Sequence, residues 1–242
     1  MPTMPDDMRA MGLLMTVAPA DGAAIARLGH ARAAPAGRMP LEQAAKVIFD
    51  VVIAFLLLVL LAPLMGLIAW AVRLDGGPAL FAHRRLGRFG TTFDCLKFRT
   101  MVPDADAVLS ETLARDARAA AEWAATHKLR DDPRVTRLGR LLRRTSLDEL
   151  PQLVNVLRLE MSLVGPRPIV AAEISRYGTD FAYYCAVRPG LTGLWQVSGR
   201  NNTPYAEKVQ LDARYVRSWT LWRDVLIMLR TVPAVVARRG AH

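Results

Sequence analysis

The hydrophobic and polar positions divide the chain into zones. Residues Met1 to Pro40 are rich in Ala, Gly, Met and Pro, without sustained periodicity, and read as a flexible leader; no signal-peptide cleavage pattern follows the first apolar run. From Val51 to Val72 runs an apolar stretch without a charge, broken in character only by Trp70. As one helix it is about 33 Å long at ~1.5 Å per residue, enough to cross a bilayer. Pro63 sits within it and favours a kink. Both flanks are basic, with Arg27, Arg32, Arg38 and Lys46 before and Arg73, Arg84, Arg85 and Arg88 after. Positive charge prefers the cytoplasmic side, so equal loading of the two ends disfavours a crossing. Sequence physics leaves two readings open: an ordinary transmembrane helix, or one that dips into a single leaflet, bends at Pro63 and returns. Asp50 lies just inside the apolar boundary, where it needs a partner.

Asp75-Gly-Gly-Pro ends this segment as a turn. Ala79 to Met101 reads as two short strands around Gly87-Arg-Phe-Gly90, carrying Arg84, Arg85, Arg88, Lys97 and Arg99; two glycines are too sparse for a nucleotide fingerprint. Pro103 to His127 is Ala-rich with scattered acids, a solvated helix or helix pair. Residues 134–144 place apolar side chains at 135, 138, 141 and 142 and arginines at 134, 137, 140, 143 and 144, the spacing of a helix with one apolar and one basic face. Trp219 to Arg239 repeats the theme with tryptophans and arginines, a composition suited to a lipid–water interface, with Pro233 as a breaker.

Composition narrows the partners. The 242 residues carry 32 Lys+Arg against 22 Asp+Glu, a formal charge of +10, which calls for an anionic partner: nucleic acid, anionic lipid or a phosphorylated substrate. Cys95 and Cys185 lie far apart without metal-site spacing, so a disulfide scaffold or zinc site does not fit and a reducing compartment does. No nucleic-acid motif is present, and the aromatics cluster with apolar segments, so nucleic acid is not an expected partner.

The candidate chemistry lies in Thr145-Ser-Leu-Asp-Glu-Leu-Pro-Gln152, behind Arg143 and Arg144, and in Pro166-Arg167-Pro168. One reading of Ser146-Leu-Asp-Glu149 is a capping box, with Ser146 as N-cap and Glu149 reaching back. The functional reading draws on its neighbours. Two prolines stiffen the backbone around Arg167, which suits a guanidinium aimed at phosphate, and Lys97 and Arg99 add further cations. Converging, these residues supply a carboxylate nucleophile, a second carboxylate for a hard cation, and phosphate clamps. A membrane-anchored scaffold with a basic face explains the charge and the amphipathic helices, but gives Asp148-Glu149 and Arg167 no role.

Lys97-Phe-Arg-Thr-Met101, Thr-Ser-Leu-Asp-Glu-Leu-Pro-Gln-Leu, Val-Gly-Pro-Arg-Pro and Gly193-Leu-Trp-Gln-Val-Ser-Gly-Arg200-Asn follow the Pro63 segment in order. With these motifs the chain resembles the bacterial sugar transferases, the monotopic polyprenyl-phosphate phosphoglycosyl transferases, over roughly Leu41 to Gly240. The exopolysaccharide-initiating galactose and glucose transferases are nearest in appearance. The resemblance implies an α-rich α+β fold, with a leader over 1–40, a re-entrant, kinked membrane helix over 41–73, and a small cytoplasmic catalytic domain over 74–240 bearing interfacial amphipathic helices. It implies a monotopic protein on the cytoplasmic face of the bacterial inner membrane. It also implies transfer of a sugar-1-phosphate from a UDP-sugar to undecaprenyl phosphate, with Mg2+ as cofactor and membrane lipids as further partners; a homodimer stays open. By position Asp148 matches the nucleophile and Glu149 the acidic partner linked to the metal, both being candidate metal ligands. Lys97, Arg143 and Arg167 match residues around the phosphates, with Arg99, Arg144 and Arg200 as further candidates, and Pro63 matches the helix break. Two departures are Ala62-Pro63 where relatives often carry Ser-Pro, and His83 where many carry Gln.

Overall fold

A computed structural model describes residues 40–126, 128–198 and 204–236; the leader up to residue 39 and Arg200 lie outside them. The apolar segment is helix α1, Pro40–Arg73, 34 residues long. It is the one described helix long and apolar enough to cross a membrane, with a mean hydropathy of 3.0 over its most apolar window and only 11% of that window buried. Phe55, Leu60, Leu67 and Trp70 are exposed on it. The helix continues through Pro63, so the expected break is not an interruption. Proline removes one donor, while the turns on either side keep their own bonds.

Both ends of α1 are fastened to the same globular body. Near its start Lys46 and Asp50 enter a buried polar network: Lys46 Nζ lies 2.9 Å from Asp50 and 2.7 Å from Asp224. Asp50 accepts from Ser162 Oγ at 2.8 Å and pairs with Arg188 at 3.6 Å, while Asp224 accepts from Tyr215 and Trp219, both at 2.9 Å. Asp50 thus has the partners that the sequence alone could not name. Near the other end Ile68 and Val72 pack on Phe98 and Leu142, and the Val72 carbonyl accepts from Arg99 at 2.9 Å.

The turn after α1 needs Gly76, whose φ is +88°. It leads into the predicted hairpin, β1 (Leu80–Leu86) and β2 (Thr92–Phe98), paired antiparallel from Leu80↔Phe98 to Leu86↔Thr92. In β2 the alternation buries Phe93 and Cys95 and exposes Thr92 and Asp94. The Ala-rich stretch forms α2 (Ala105–Arg115) and α3 (Ala117–Thr126). The basic segment forms α4 (Arg137–Thr145), started by Thr136, whose hydroxyl accepts from Gly139 N at 2.8 Å. Arg134 precedes the helix and pairs with Asp132 at 2.7 Å. Gly139 is there because α4 crosses the backbone of Thr100: a Cβ would lie 2.0 Å from its carbonyl oxygen.

Next come α5 (Gln152–Leu157) and β3 (Ser162–Val164), which pairs in parallel with β4 (Gly190–Thr192). Between the strands lie two short helices, α6 (Ile174–Tyr177) and α7 (Phe181–Ala186). After them come α8 (Leu194–Ser198), α9 (Tyr205–Arg217) and α10 (Leu221–Val236). Helix α10 continues through Pro233, as α1 does through Pro63. The main core gathers Ala54 of α1 with Phe93, Leu153, Val156, Val164 and Ile227. Among the described residues the architecture is helix-rich with two small sheets, in line with the α-rich expectation.

Candidate active site

The carboxylate pair owes its position to the end of α4. Ser146 takes a left-handed conformation, φ 56°, and its N–H closes the helix on the carbonyls of Leu142 and Arg143. It makes no side-chain cap, so the capping box read from Ser146 and Glu149 does not form. A single 3-10 turn, Leu147–Glu149, follows. In it Leu147 and Leu150 pack toward the cluster holding Ile68, Phe98 and Leu142, which leaves Asp148 and Glu149 facing β2. Glu149 meets Lys97 Nζ at 2.6 Å, and Asp148 lies 3.6 Å from the same ammonium. Asn155 ties α5 to β2: fully buried, it accepts from Leu96 N at 3.0 Å and donates to the Asp94 carbonyl at 2.8 Å.

Asp148 is 7% exposed. Burial raises its pKa, opposed by the charges of Lys97 and Arg143 and reinforced by Glu149. A desolvated carboxylate near cations is a stronger nucleophile than one in water, provided that the cations keep it ionised. Arg143 donates from Nε to Thr100 Oγ1 at 2.9 Å.

Arg167 reaches the same cleft from the opposite wall, on a backbone held at several points. The Pro166 carbonyl accepts from Gly190 N at 2.8 Å, the Pro168 carbonyl from Arg85 at 3.3 Å, and Ile169 N donates to Tyr184 Oη at 3.2 Å. The segment is thus aimed by its neighbours as well as by its prolines. The cleft is lined by Arg85, Lys97, Glu149, Gln152, Arg167 and Gln196, with Cys95, Pro168, Gly190 and Leu191 completing it. Gly190 must be glycine, since a Cβ would lie 2.1 Å from Gly165 N. Burial pushes the Cys95 thiol up to about 11, so it is neutral and inert there.

The structure therefore brings together Asp148, Glu149, Lys97 and Arg167, with Arg143 acting on Asp148. It does not bring Arg99 to them. Arg99 is 8% exposed, and its guanidinium donates to the carbonyls of Val72, Pro78 and Met101 and to the Asp75 carboxylate. With those donors committed it holds the end of α1 and the following turn, which is the physical reason that it is no phosphate clamp. Arg144 is exposed, without an ion pair among the described residues. Sequence reasoning passed over Arg85, Gln152 and Gln196. Arg85 was legible, because the strand alternation puts 81, 83 and 85 on the same hairpin face as 93, 95 and 97.

Two carboxylates offer hard oxygen donors that fit magnesium, which one or two carboxylates and substrate phosphates usually hold. No group of three ligating side chains occurs among the described residues, so substrate oxygens would complete any such coordination.

A buried carboxylate with a half-buried one beside it, both near a lysine, faced by a rigidly held arginine and backed by a long exposed apolar helix, is the equipment of a membrane-associated, phosphate-handling transferase. Comparison with known proteins agrees. The chain belongs to the bacterial sugar transferase family, matched over residues 41–238. It is 52% identical over 194 residues to the undecaprenyl-phosphate galactose phosphotransferase of Salmonella typhimurium, which covers 80% of this chain and 41% of that protein. It is 50% identical over 204 residues to the exopolysaccharide production protein ExoY of Sinorhizobium fredii, covering 84% and 90%. A UDP-glucose:undecaprenyl-phosphate glucose-1-phosphate transferase of Caulobacter vibrioides is 44% identical over 206 residues, covering 81% and 72%. The chain thus spans about two fifths of the Salmonella relative's length and most of that of ExoY.

Proposed function

We propose that this chain transfers a hexose-1-phosphate from a UDP-sugar to undecaprenyl phosphate, releasing UMP, as the first step of exopolysaccharide or other surface glycan synthesis. The observation that carries the reading is Asp148, buried and 3.6 Å from the ammonium of Lys97, which lines one cleft with Glu149 and Arg167. The names of the Salmonella and Caulobacter relatives, which specify undecaprenyl phosphate and galactose or glucose, support the substrate classes.

In the first half-reaction an Asp148 carboxylate oxygen attacks the sugar-bearing phosphorus. The bond to the bridging oxygen breaks, UMP departs with its electron pair, and an aspartyl phosphosugar remains. In the second, a phosphate oxygen of the lipid attacks that phosphorus and Asp148 leaves as carboxylate, giving a lipid-linked diphosphate sugar. Lys97 and Arg143 keep Asp148 ionised, and Arg167 and Lys97 balance the charge that develops on the phosphoryl oxygens. Asp148 or Glu149 would hold Mg2+, which would supply neutralisation of substrate charge as UMP departs. Splitting the transfer lets a soluble donor and a lipid acceptor use one cleft in turn.

A re-entrant course for α1, with the protein monotopic on the cytoplasmic face of the inner membrane, accompanies this reading. Its support is that Asp50 and Val72, at opposite ends of the apolar run, bond to the same globular body. A straight crossing places such ends on opposite sides of a bilayer about 30 Å thick.

The test is mass spectrometry of the purified chain incubated with magnesium and a panel of UDP-sugars without lipid. A hexose-phosphate adduct on Asp148, absent from Asp148→Asn, is the expected result and names the sugar. Near-normal UMP release by Asp148→Asn would refute the covalent scheme.

A further inference from the structure

The basic lining of the cleft does not stop at Arg167. The indole of Trp195, 4% exposed, carries the Arg167 guanidinium 5.9 Å from its centroid and the Lys208 ammonium of α9 at 4.8 Å. Lys46, Arg85, Lys97, Arg99, Arg134 and Arg188 each have a carboxylate within ion-pair distance. Arg167 and Lys208 have none among the described residues. Asp212, one turn along α9, is the carboxyl whose charge would act on Arg167, but burial pushes its pKa up to about 8 and Tyr177 donates to it at 2.8 Å. At neutral pH it is mostly uncharged, so it leaves Arg167 uncompensated.

Two cations are therefore gathered on one buried ring beside an active cleft, with no carboxylate in ion-pair contact with either among the described residues. Burial, then the charges of Arg167 and Lys128, disfavour the Lys208 ammonium. The ring attracts both cations but does not neutralise their repulsion. An anion between them does, and a phosphate monoester suits the pair: arginine engages two of its oxygens and lysine supplies a mobile point charge.

We propose that Lys208 and Arg167, both held against Trp195, form a seat for a phosphate monoester at the edge of the cleft. Two such groups belong to the proposed reaction: the phosphate of UMP and that of the lipid acceptor. Placing the seat in that reaction rests on the function proposed above; the seat itself rests on the geometry. The competing account is that Lys208 merely lays its apolar stem along Trp195.

The test uses the full chain in detergent micelles, titrated by calorimetry with UMP and separately with farnesyl phosphate, in wild type, Lys208→Gln and Lys208→Arg. Removing one charge-assisted contact weakens affinity on the order of tenfold. A tenfold loss for UMP in Lys208→Gln, recovered in Lys208→Arg, identifies the leaving nucleotide as the occupant. The same pattern for farnesyl phosphate identifies the acceptor. Affinities for both ligands within twofold of wild type, or no binding of either by wild type, overturn the seat. UMP release from UDP-sugars is measured on the same preparations. Lys208-dependent binding without any UMP release counts against the transferase reading and keeps the seat, while UMP release with binding indifferent to Lys208 does the reverse.

Discussion

Lys46→Met isolates what fastens α1 to the rest of the chain. The ammonium sits 2.9 Å from Asp50 and 2.7 Å from Asp224, and both carboxylates are fully buried. Methionine keeps most of the stem's packing and removes the charge, leaving two anions close together in a medium that solvates them poorly. Breaking a buried pair by removing one partner costs about 3–5 kcal/mol. Asp50 keeps Ser162 and the more distant Arg188, and Asp224 keeps Tyr215 and Trp219, which puts the expected loss near the lower end, about 3 kcal/mol. For a chain of this size that lowers the melting temperature by on the order of 10 °C. Thermal unfolding in detergent, followed by circular dichroism, reads it directly. The decisive control is Asp50→Asn with Asp224→Asn. Once the anions are gone, Lys46→Met should cost no more than about 1 kcal/mol, since its contribution is coupled to theirs. If methionine is equally damaging in both backgrounds, packing rather than charge holds the helix, and the reasoning fails.

Asp212→Asn tests the buried acid behind the cleft. Its folded pKa of about 8 lies above the unfolded value of 3.8, so its contribution is fully present below pH 3.8 and is lost as pH rises toward 8. Wild type should therefore melt progressively lower from pH 5 to pH 8 relative to Asp212→Asn, and parallel melting curves across that range would contradict it. Arg99→Met should destabilise by about 2–4 kcal/mol, because it strands three carbonyls and the Asp75 carboxylate. On the proposed function, it should leave the KM for the UDP-sugar donor unchanged in the folded fraction. An unchanged melting temperature with a raised KM would instead make Arg99 the substrate ligand that its motif suggested.

Elements with a strong local signature were legible in the chain. The apolar run, the hairpin turn at Gly87–Gly90 and the Ala-rich helices each depend on neighbouring residues alone, and each formed where the pattern put it. The clustering of Asp148, Glu149, Lys97 and Arg167 was also anticipated, although their partners were not. Glu149 shows why: its spacing from Ser146 fits a capping box, yet Ser146 turns left-handed to end α4, and Lys97, far off in sequence, takes the carboxylate. Arg99 went the other way, because nothing in Lys97-Phe-Arg-Thr-Met101 reveals that Val72, Pro78 and Met101 present their carbonyls to it. The Lys46–Asp50–Asp224 network was illegible for the same reason. Asp224 lies in an amphipathic stretch whose tryptophans and arginines suggested interface, while its own role depends on a helix formed over 170 residues earlier.

That network bears on catalysis through the position of the dyad. Leu147 and Leu150 flank Asp148 and Glu149, and they rest on the cluster that includes Ile68 and Val72 from the later half of α1. The earlier half is tied through Asp50 to Ser162, which begins the strand leading by Val164 to the Arg167 segment. The two walls of the cleft are thus braced by opposite ends of one helix. On the re-entrant reading, that helix also sets how deep the chain sits in the lipid. The dyad then cannot change depth without α1, nor can α1 tilt without shifting one wall against the other. Binding the membrane and shaping the cleft become one mechanical event, which on the proposed function suits an acceptor that presents its phosphate at the bilayer surface.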